Sequence, residues 1–514
     1  MSQFFARHID IFWALCYYKG MKTIRSNAMK RILSILLVLI MMLSFAACAS
    51  NSSSDGANTD TSSGTNTDSD TGASTNTNTS TNTSTNTNTN TSTNTGGSSY
   101  VPDYTKDTTN YNPRTNTAKT AIYYINETLE YPTVTKYKNG AKAALSMTFD
   151  DANNANAGRI ISEVFAKYDN KMHGTIMATV NFMKTSAGNE EQSIQAWQSV
   201  FDLGYLDLGC HGYRHADPTD YASASEAELY AEVGAAFEYL RAKFPTQRVL
   251  TYATPLARIN DNYESYLRQW CLSNRLEAGG NFAVIGESYN IYRMKASMIQ
   301  NGTNLRTIYE SVQASVDAER WIVHLFHDII EDDQSSGWNP TYRSTFESYC
   351  EHLYSTYGDT VWFGSFEEVT LYALQYENIT IEYTAASRES MTLSVDCDMD
   401  SSLYNIPVGV KVQLPRFTDS AIAFVNGVPQ QLELDTSVRN KVYTVIKDVP
   451  IYDTEIVIML GGNTTFRNGC AHSYAFDSTV EATPEEIGYS INKCQKCECT
   501  YKSDYVLYVE SDAQ

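Results

Sequence analysis

Positive charge is scarce in this sequence. Of 514 residues, 38 are Lys or Arg against 59 Asp or Glu, for a formal net charge of -21 and a pI of about 4.8. A surface of that sign repels phosphate backbones, which excludes nucleic acid as a partner. A membrane-length apolar run is missing as well. Ile32–Ala47 (ILSILLVLIMMLSFAA) has sixteen uncharged residues, short of the ~20 that a spanning helix wants. Residues 49–99 lack nearly everything a core needs: beside Ser, Thr, Asn and Gly they hold only Ala49, Ala57, Ala73 and four Asp. The Thr-Asn alternation from Thr75 to Thr95 cannot offset chain entropy, so this stretch is expected to be a disordered spacer. Histidine is rare, eight in the chain, so any close pair of them carries information. What remains is 42% hydrophobic and 12% aromatic, enough for a real core. Length alone suggests about three domains, fewer where a part never folds.

Lys30-Arg31 precede the apolar run and small residues end it, the pattern of an export signal. Phe45-Ala46-Ala47-Cys48 resembles a bacterial lipoprotein box, in which Cys48 would be lipidated and become the mature N-terminus. Plain secretion or an uncleaved anchor stays open, because Phe45 stands where Leu is usual. Residues 1–28 lie upstream of a complete signal that could begin at Met29 or Met21, which suggests an over-extended start. Loss of residues 1–47, with six basic residues and one acid, takes the net charge to -26. The expected product is extracytoplasmic, meeting the membrane through its lipid only.

Three signals carry chemistry. Ala143–Phe149 (AALSMTF) reads as a strand ending in Asp150-Asp151. Two adjacent carboxylates at a strand end are costly unless one is solvated or a cation sits there; alone, they would read as an acidic turn. His211 and His215 stand four apart in HGYRH, on one helical turn or in a tight loop, a spacing that suits two imidazoles on one ion. With one carboxylate they make a three-ligand site of the catalytic kind, with a position left for water. The third signal is Trp321–Ile329 (WIVHLFHDI), a buried strand with Val323, Leu325 and His327 on one face. His324, on the other face, reads as a satisfied core residue.

In this order the elements resemble the polysaccharide deacetylase family, the NodB-homology metal-dependent carbohydrate esterases. Thr148-Phe149-Asp150-Asp151 matches its TFDD motif, His211-Gly-Tyr-Arg-His215 its H-[S/T]-x-x-H motif, and Leu325-Phe-His327 its L-x-H motif. The flanks His173–Met183, Trp197–Gly204 and Asp359–Tyr372 resemble its second strand, its following helix and its closing strand and helix. The resemblance implies a distorted (β/α) barrel over residues 100–376. Asp151, His211 and His215 would hold a divalent ion, zinc or else Co, Ni or Mn. Asp150 would be the general base, and His327 would protonate the leaving amine, freeing acetate from an N-acetylated glycan. Leu325 would line the acetyl methyl pocket, and the segment at Pro255–Ala257 would give a backbone N–H to the oxyanion. An O-acetyl esterase on xylan or a similar polymer, or a non-catalytic glycan-binding lipoprotein, stays open. Two departures stand out. The family's third-motif arginine, which pairs with the base, is missing from Thr251–Arg258 (TYATPLAR), and Arg275 or Arg258 is the candidate substitute; Arg275 is also counted with Leu325 and Pro255 among the substrate-binding residues. Gly212 replaces the Ser or Thr that steadies the histidine loop.

Ser225-Glu226-Ala227-Glu228 reads as a capping box opening a helix to about Arg241. Cys210, Cys271 and Cys350 are scattered and read as buried free thiols. From Asn378 the pattern turns to six short alternating segments with an Asn426-Gly427 hairpin signal, an all-β sandwich over 377–462. Residues 463–514 form a small Cys/His module, Cys470-x-His472 followed by Cys494-x-x-Cys497 and Cys499. A zinc ribbon on Cys470, His472, Cys494 and Cys497, disulfides, or neither would satisfy that spacing. Nothing in the sequence calls for a second copy, so a monomer is expected.

Overall fold

A computed structural model describes residues 121–509 except 125–126, 278–282, 336, 388, 464–469 and 471. The signal, Cys48 and the polar spacer lie outside the described residues. Among those residues no helix is long and apolar enough to cross a membrane.

Ala143–Asp151 is buried along its whole length, because it has barrel interior on one face and helices on the other. It begins a parallel sheet whose next strands, in chain order, are Gly174–Ala178, Leu206–Cys210, Thr251–Ala253, Ser273–Glu277, Met294–Met298 and Trp321–Phe326. The last pairs back onto the first, Trp321 opposite Ala144 through Phe326 opposite Phe149. Seven parallel strands thus close a barrel, and the short Val361–Trp362 pairs beside the start of the first. Asn154 caps the helix Ala155–Phe165 by accepting from Asn156 N–H (3.0 Å). That helix packs so closely on Trp197 that a Cβ at Gly158 would lie 2.6 Å from its ring. Phe149 stacks on Phe326 at 5.4 Å, with Phe346 edge-on at 5.8 Å; each such ring contributes about 1.5–3 kcal/mol by burial.

The capping box forms: Ser225 accepts from Glu228 N–H and the helix runs to Lys243, but Tyr230–Gly234 is wound as a π-turn. Such bulges frequently sit at functional sites.

Beyond Asn378 the six segments are strands, and Val425 and Val428 close the Asn426-Gly427 hairpin. Both turn residues have positive φ, 47° and 79°, as the two-residue turn requires. One sheet has five antiparallel strands; the other has Val442–Val449, Val408–Leu414 and the early segment Thr133–Val134. Val410 pairs with Val134, so a strand preceding the barrel belongs to this sandwich-like region. Its buried residues Met391, Leu393, Val395, Val410, Val412 and Ile458 are continuous with the barrel core. A separate three-stranded antiparallel sheet, Tyr474–Val480, Gly488–Cys494 and Thr500–Val506, follows.

Candidate active site

Asp150 and Asp151 end the first strand at the C-terminal mouth of the barrel, where such folds keep their chemistry. Strand alternation would send neighbouring carboxylates to opposite faces. The backbone breaks it: Asp151 and Ala152 have φ of 79° and 57°, left-handed values that cost energy for non-glycine residues. As a result, both carboxylates reach one imidazole. Asp150 Oδ2 and Asp151 Oδ1 each lie 3.7 Å from His211 Nε2.

His211 follows the third strand directly, and HGYRH is a loop rather than a helical turn. His215, at φ 63°, brings Nε2 to 3.7 Å from Asp151 Oδ1. The two rings stand 4.8 Å apart. His211 Nδ1–H donates to the Ala253 carbonyl at 2.7 Å, which leaves Nε2 with its lone pair toward the acids. Burial pushes His211 down to about 4 and also lowers His215, so both rings are neutral near pH 7.

These residues fit a divalent ion. Asp151 Oδ1 is buried with no hydrogen-bond partner among the described residues. Burial, then the Asp150 charge, push Asp151 up to about 7, and a cation beside it would offset both. One carboxylate oxygen and two neutral imidazole nitrogens lie within 4.8 Å of one another, an N/O donor set suited to zinc or a neighbouring first-row metal.

Asp150 behaves in the opposite way. Burial raises its pKa, but the Arg275 guanidinium, helped by His211 and His327, outweighs this and holds it below the usual carboxylate range. Arg275 is buried against Asp150 and bonded to it. Engaged with Asp150 and 1% exposed, its guanidinium takes the place of the base-pairing arginine rather than that of a substrate contact. Ala253 and Arg275 are register partners on adjacent strands, so the missing third-motif arginine is supplied one strand over. Arg258 is engaged elsewhere, with Asp217 at 2.6 Å.

His327 sits one residue past the seventh strand, and its Nδ1 is buried without a partner among the described residues. Burial lowers it and the Asp150 charge draws it back up. Leu325 is buried opposite Thr148. Pro255 opens a short turn in which Leu256 and Ala257 both have positive φ, 55° and 56°, and Ala257 N–H closes onto the Thr254 carbonyl at 3.3 Å. His324 is a buried core residue, its Nδ1 2.5 Å from the Tyr349 hydroxyl. Cys210, Cys271 and Cys350 are buried and free.

Two residues escaped the sequence reading. Glu232, on the π-turn, is buried and receives Arg214 N–H and Ala216 N–H at Oε1, both at 3.1 Å, and Arg214 Nε–H at Oε2, also 3.1 Å. A Cβ at Gly212 would lie 2.7 Å from Glu232 Oε1. The carboxylate therefore occupies the space that a Ser or Thr at 212 would need, and it steadies the loop itself. No spacing marks Glu232 apart from a surface acid four residues after Glu228. Asp328 is buried beside His327, pushed up by burial, and adds its charge at Asp151.

No protein-family model matches the chain, and no curated protein matches it. Solved structures similar to it are CE4 family polysaccharide deacetylases, the family its motifs resemble. One is a family 4 carbohydrate esterase from Streptomyces lividans in complex with acetate, at 13% identity over 44% of this chain and 93% of that one, TM-score 0.28. Another is the peptidoglycan deacetylase PdaC from Bacillus subtilis, at 14% identity over 45% and 92%, TM-score 0.27. A third is a CE4 family pseudoenzyme from Bacillus anthracis, at 13% identity over 47% and 68%, TM-score 0.29. These are partial likenesses, and the barrel is read from its own strand order.

Proposed function

We propose that the chain is a metal-dependent hydrolase that removes N-acetyl groups from an extracellular or cell-wall polysaccharide of GlcNAc type, releasing acetate. The observation that carries this reading is the opposed electrostatics of two adjacent acids: Asp150 is held ionised by Arg275, while Asp151 lacks a counter-charge beside two neutral imidazoles. Pairs of carboxylates driven apart in this way mark a base and a partner with a different task.

Asp151, His211 and His215 would hold the ion, zinc or else Co, Ni or Mn. When bound, it supplies Lewis-acid polarisation of the acyl oxygen and activation of water. Asp150 takes the proton from the attacking water, and Arg275 keeps it charged for that. His327 gives a proton to the leaving nitrogen; burial opposes its protonation and the Asp150 charge favours it. Pro255 has no N–H and that of Ala257 closes the turn, so the oxyanion donor falls to Leu256 N–H. Leu325 backs the acetyl methyl. The chain would act as a lipid-anchored or secreted monomer outside the cytoplasm, on glycan.

An acetate-release panel over N-acetylated and O-acetylated glycans, with metal saturating, tests the reading. Acetate from chitooligosaccharide or peptidoglycan is expected. Release only from O-acetyl xylan would make it an esterase, and silence on every substrate would leave a glycan-binding lipoprotein.

A further inference from the structure

The C-terminal sheet has almost no core of its own. Across Tyr474–Val506 the buried residues are Gly488, Cys494, Ser503 and Tyr505, and Tyr505 is spent on the neighbouring sandwich, where its N–H reaches Ser420 Oγ at 3.2 Å. Three strands of so small an area do not hold together on apolar burial, and units of this size rely on disulfides or a metal.

One end of the sheet gathers four ligand side chains from two segments. Cys470, His472, Cys494 and Cys497 bring one ligand atom each to within 4.8 Å of one another. Cys497 Sγ lies 3.3 Å from His472 Nδ1. The other ring nitrogen, Nε2, is buried with no partner among the described residues. The ring is fixed by stacking on Tyr474 at 5.3 Å, and Tyr474 is met edge-on by Tyr501 at 4.9 Å. The Cys494-Gln-Lys-Cys497 turn is pinned by three backbone bonds: Cys494 N–H to Cys499 O at 2.9 Å, Gln495 N–H to Ser473 O at 2.8 Å, and Lys496 N–H to Cys494 Sγ at 3.4 Å. The last matters most, because a backbone N–H donated to sulfur supports a thiolate. All four tail cysteines are free thiols.

We infer that Cys470, His472, Cys494 and Cys497 form a closed, tetrahedral zinc site that holds the C-terminal sheet together. Three thiolates and one imidazole fill the coordination of zinc and leave no place for substrate, so the site is structural. It is independent of the deacetylase reading, which could fail while this site stands.

Cobalt gives the test, since thiolate ligation produces a near-ultraviolet charge-transfer band that Asp and His ligands lack. In the full chain carrying Asp151→Asn and His215→Ala, kept reduced, Co²⁺ is expected to bind at about one ion per chain with that band. Cys497→Ser and His472→Ala should each abolish or blue-shift the tetrahedral spectrum, whereas Cys499→Ser should preserve it. In the chain with the barrel residues intact, Cys497→Ser should leave acetate release within about twofold, because the two sites share no residue. Absence of the thiolate band in the reduced chain would overturn the site even where a variant misfolds. So would alkylation mass spectrometry of protein isolated in air showing these cysteines already paired in disulfides. Loss of the band in Cys499→Ser would overturn the ligand set.

Discussion

In the barrel, both metal-facing imidazoles are steadied by something that is not itself a ligand: the Ala253 carbonyl orients His211 and Glu232 holds the loop of His215, while Arg275 engages the neighbouring base, Asp150. In the tail, three cysteines and a histidine lean on one pinned turn and one tyrosine ring, with no core behind them. The barrel would keep its fold without an ion, because seven closed strands bury it regardless. In the tail cluster only Cys494 is buried. The lesson is that an open, pre-built site trades stability for chemistry, while a closed one supplies stability and does no chemistry. Variants of the barrel's base and ligands should therefore lose turnover and keep the fold, and tail-ligand variants should do the reverse.

The largest effect should come from Asp150→Asn. Removing a general base costs about 10²–10⁴-fold in kcat, and since Asp150 is not among the three ion-facing residues, metal content of the barrel should be unchanged. Near-full turnover in single-turnover acetate assays would remove Asp150 as the base. Arg275→Met strikes the same pair from its other side. It strands a buried carboxylate, which costs about 3–5 kcal/mol of stability by denaturant unfolding. It also lets the Asp150 pKa rise, so the acid limb of the pH–rate profile should move to higher pH. A limb that stays in place would mean that the ion pair is structural only.

Most of the barrel centre could be read before folding because the motifs state residue types at fixed offsets: Asp150-Asp151 after an apolar strand, His211 and His215 four apart, His327 after WIVHLF. Their meeting could not be read from spacing, since it depends on strand closure and on the left-handed turn at Asp151. Arg275 was named beside Arg258 as the substitute arginine, and only the register of Ala253 with Arg275, a property of two strands and not of one, decides between them. Glu232 was invisible for a related reason: a π-turn inside a well-capped helix rotates one acid inward, and capping signals say nothing about winding. Thr133–Val134 joined the sandwich by pairing across more than 270 residues to Val410–Lys411, which no local pattern encodes.

Glu232→Gln sharpens the comparison at a smaller scale. Gln keeps the shape and its amide oxygen can take both backbone N–H groups, but its nitrogen would then face the Arg214 Nε–H that now meets a carboxylate. An unsatisfied buried donor costs about 1–3 kcal/mol. Because the loop carries His215, the loss should surface as weaker metal binding by the barrel, measured by competition with a chromophoric chelator, with the tail spectrum unmoved. Equal weakening at both sites would point to a general loss of fold and erase the distinction.

The smallest effect expected is a slope. Asp151 is pushed up to about 7 by burial and by Asp150, while His211 is pushed down to about 4. Below about pH 7 the ion must displace a proton from Asp151, and His211 has none to release. Affinity of the barrel should therefore fall about tenfold per pH unit from about 7 toward 5, and level off above 7. The tail binds through several sulfurs, so its affinity should fall more steeply over the same range. Isothermal titration in buffers of different ionisation enthalpy counts these protons directly, about one for the barrel and more for the tail. A barrel that binds with no proton release near pH 6 would show Asp151 already ionised without its ion, and the contrast with Asp150 would collapse.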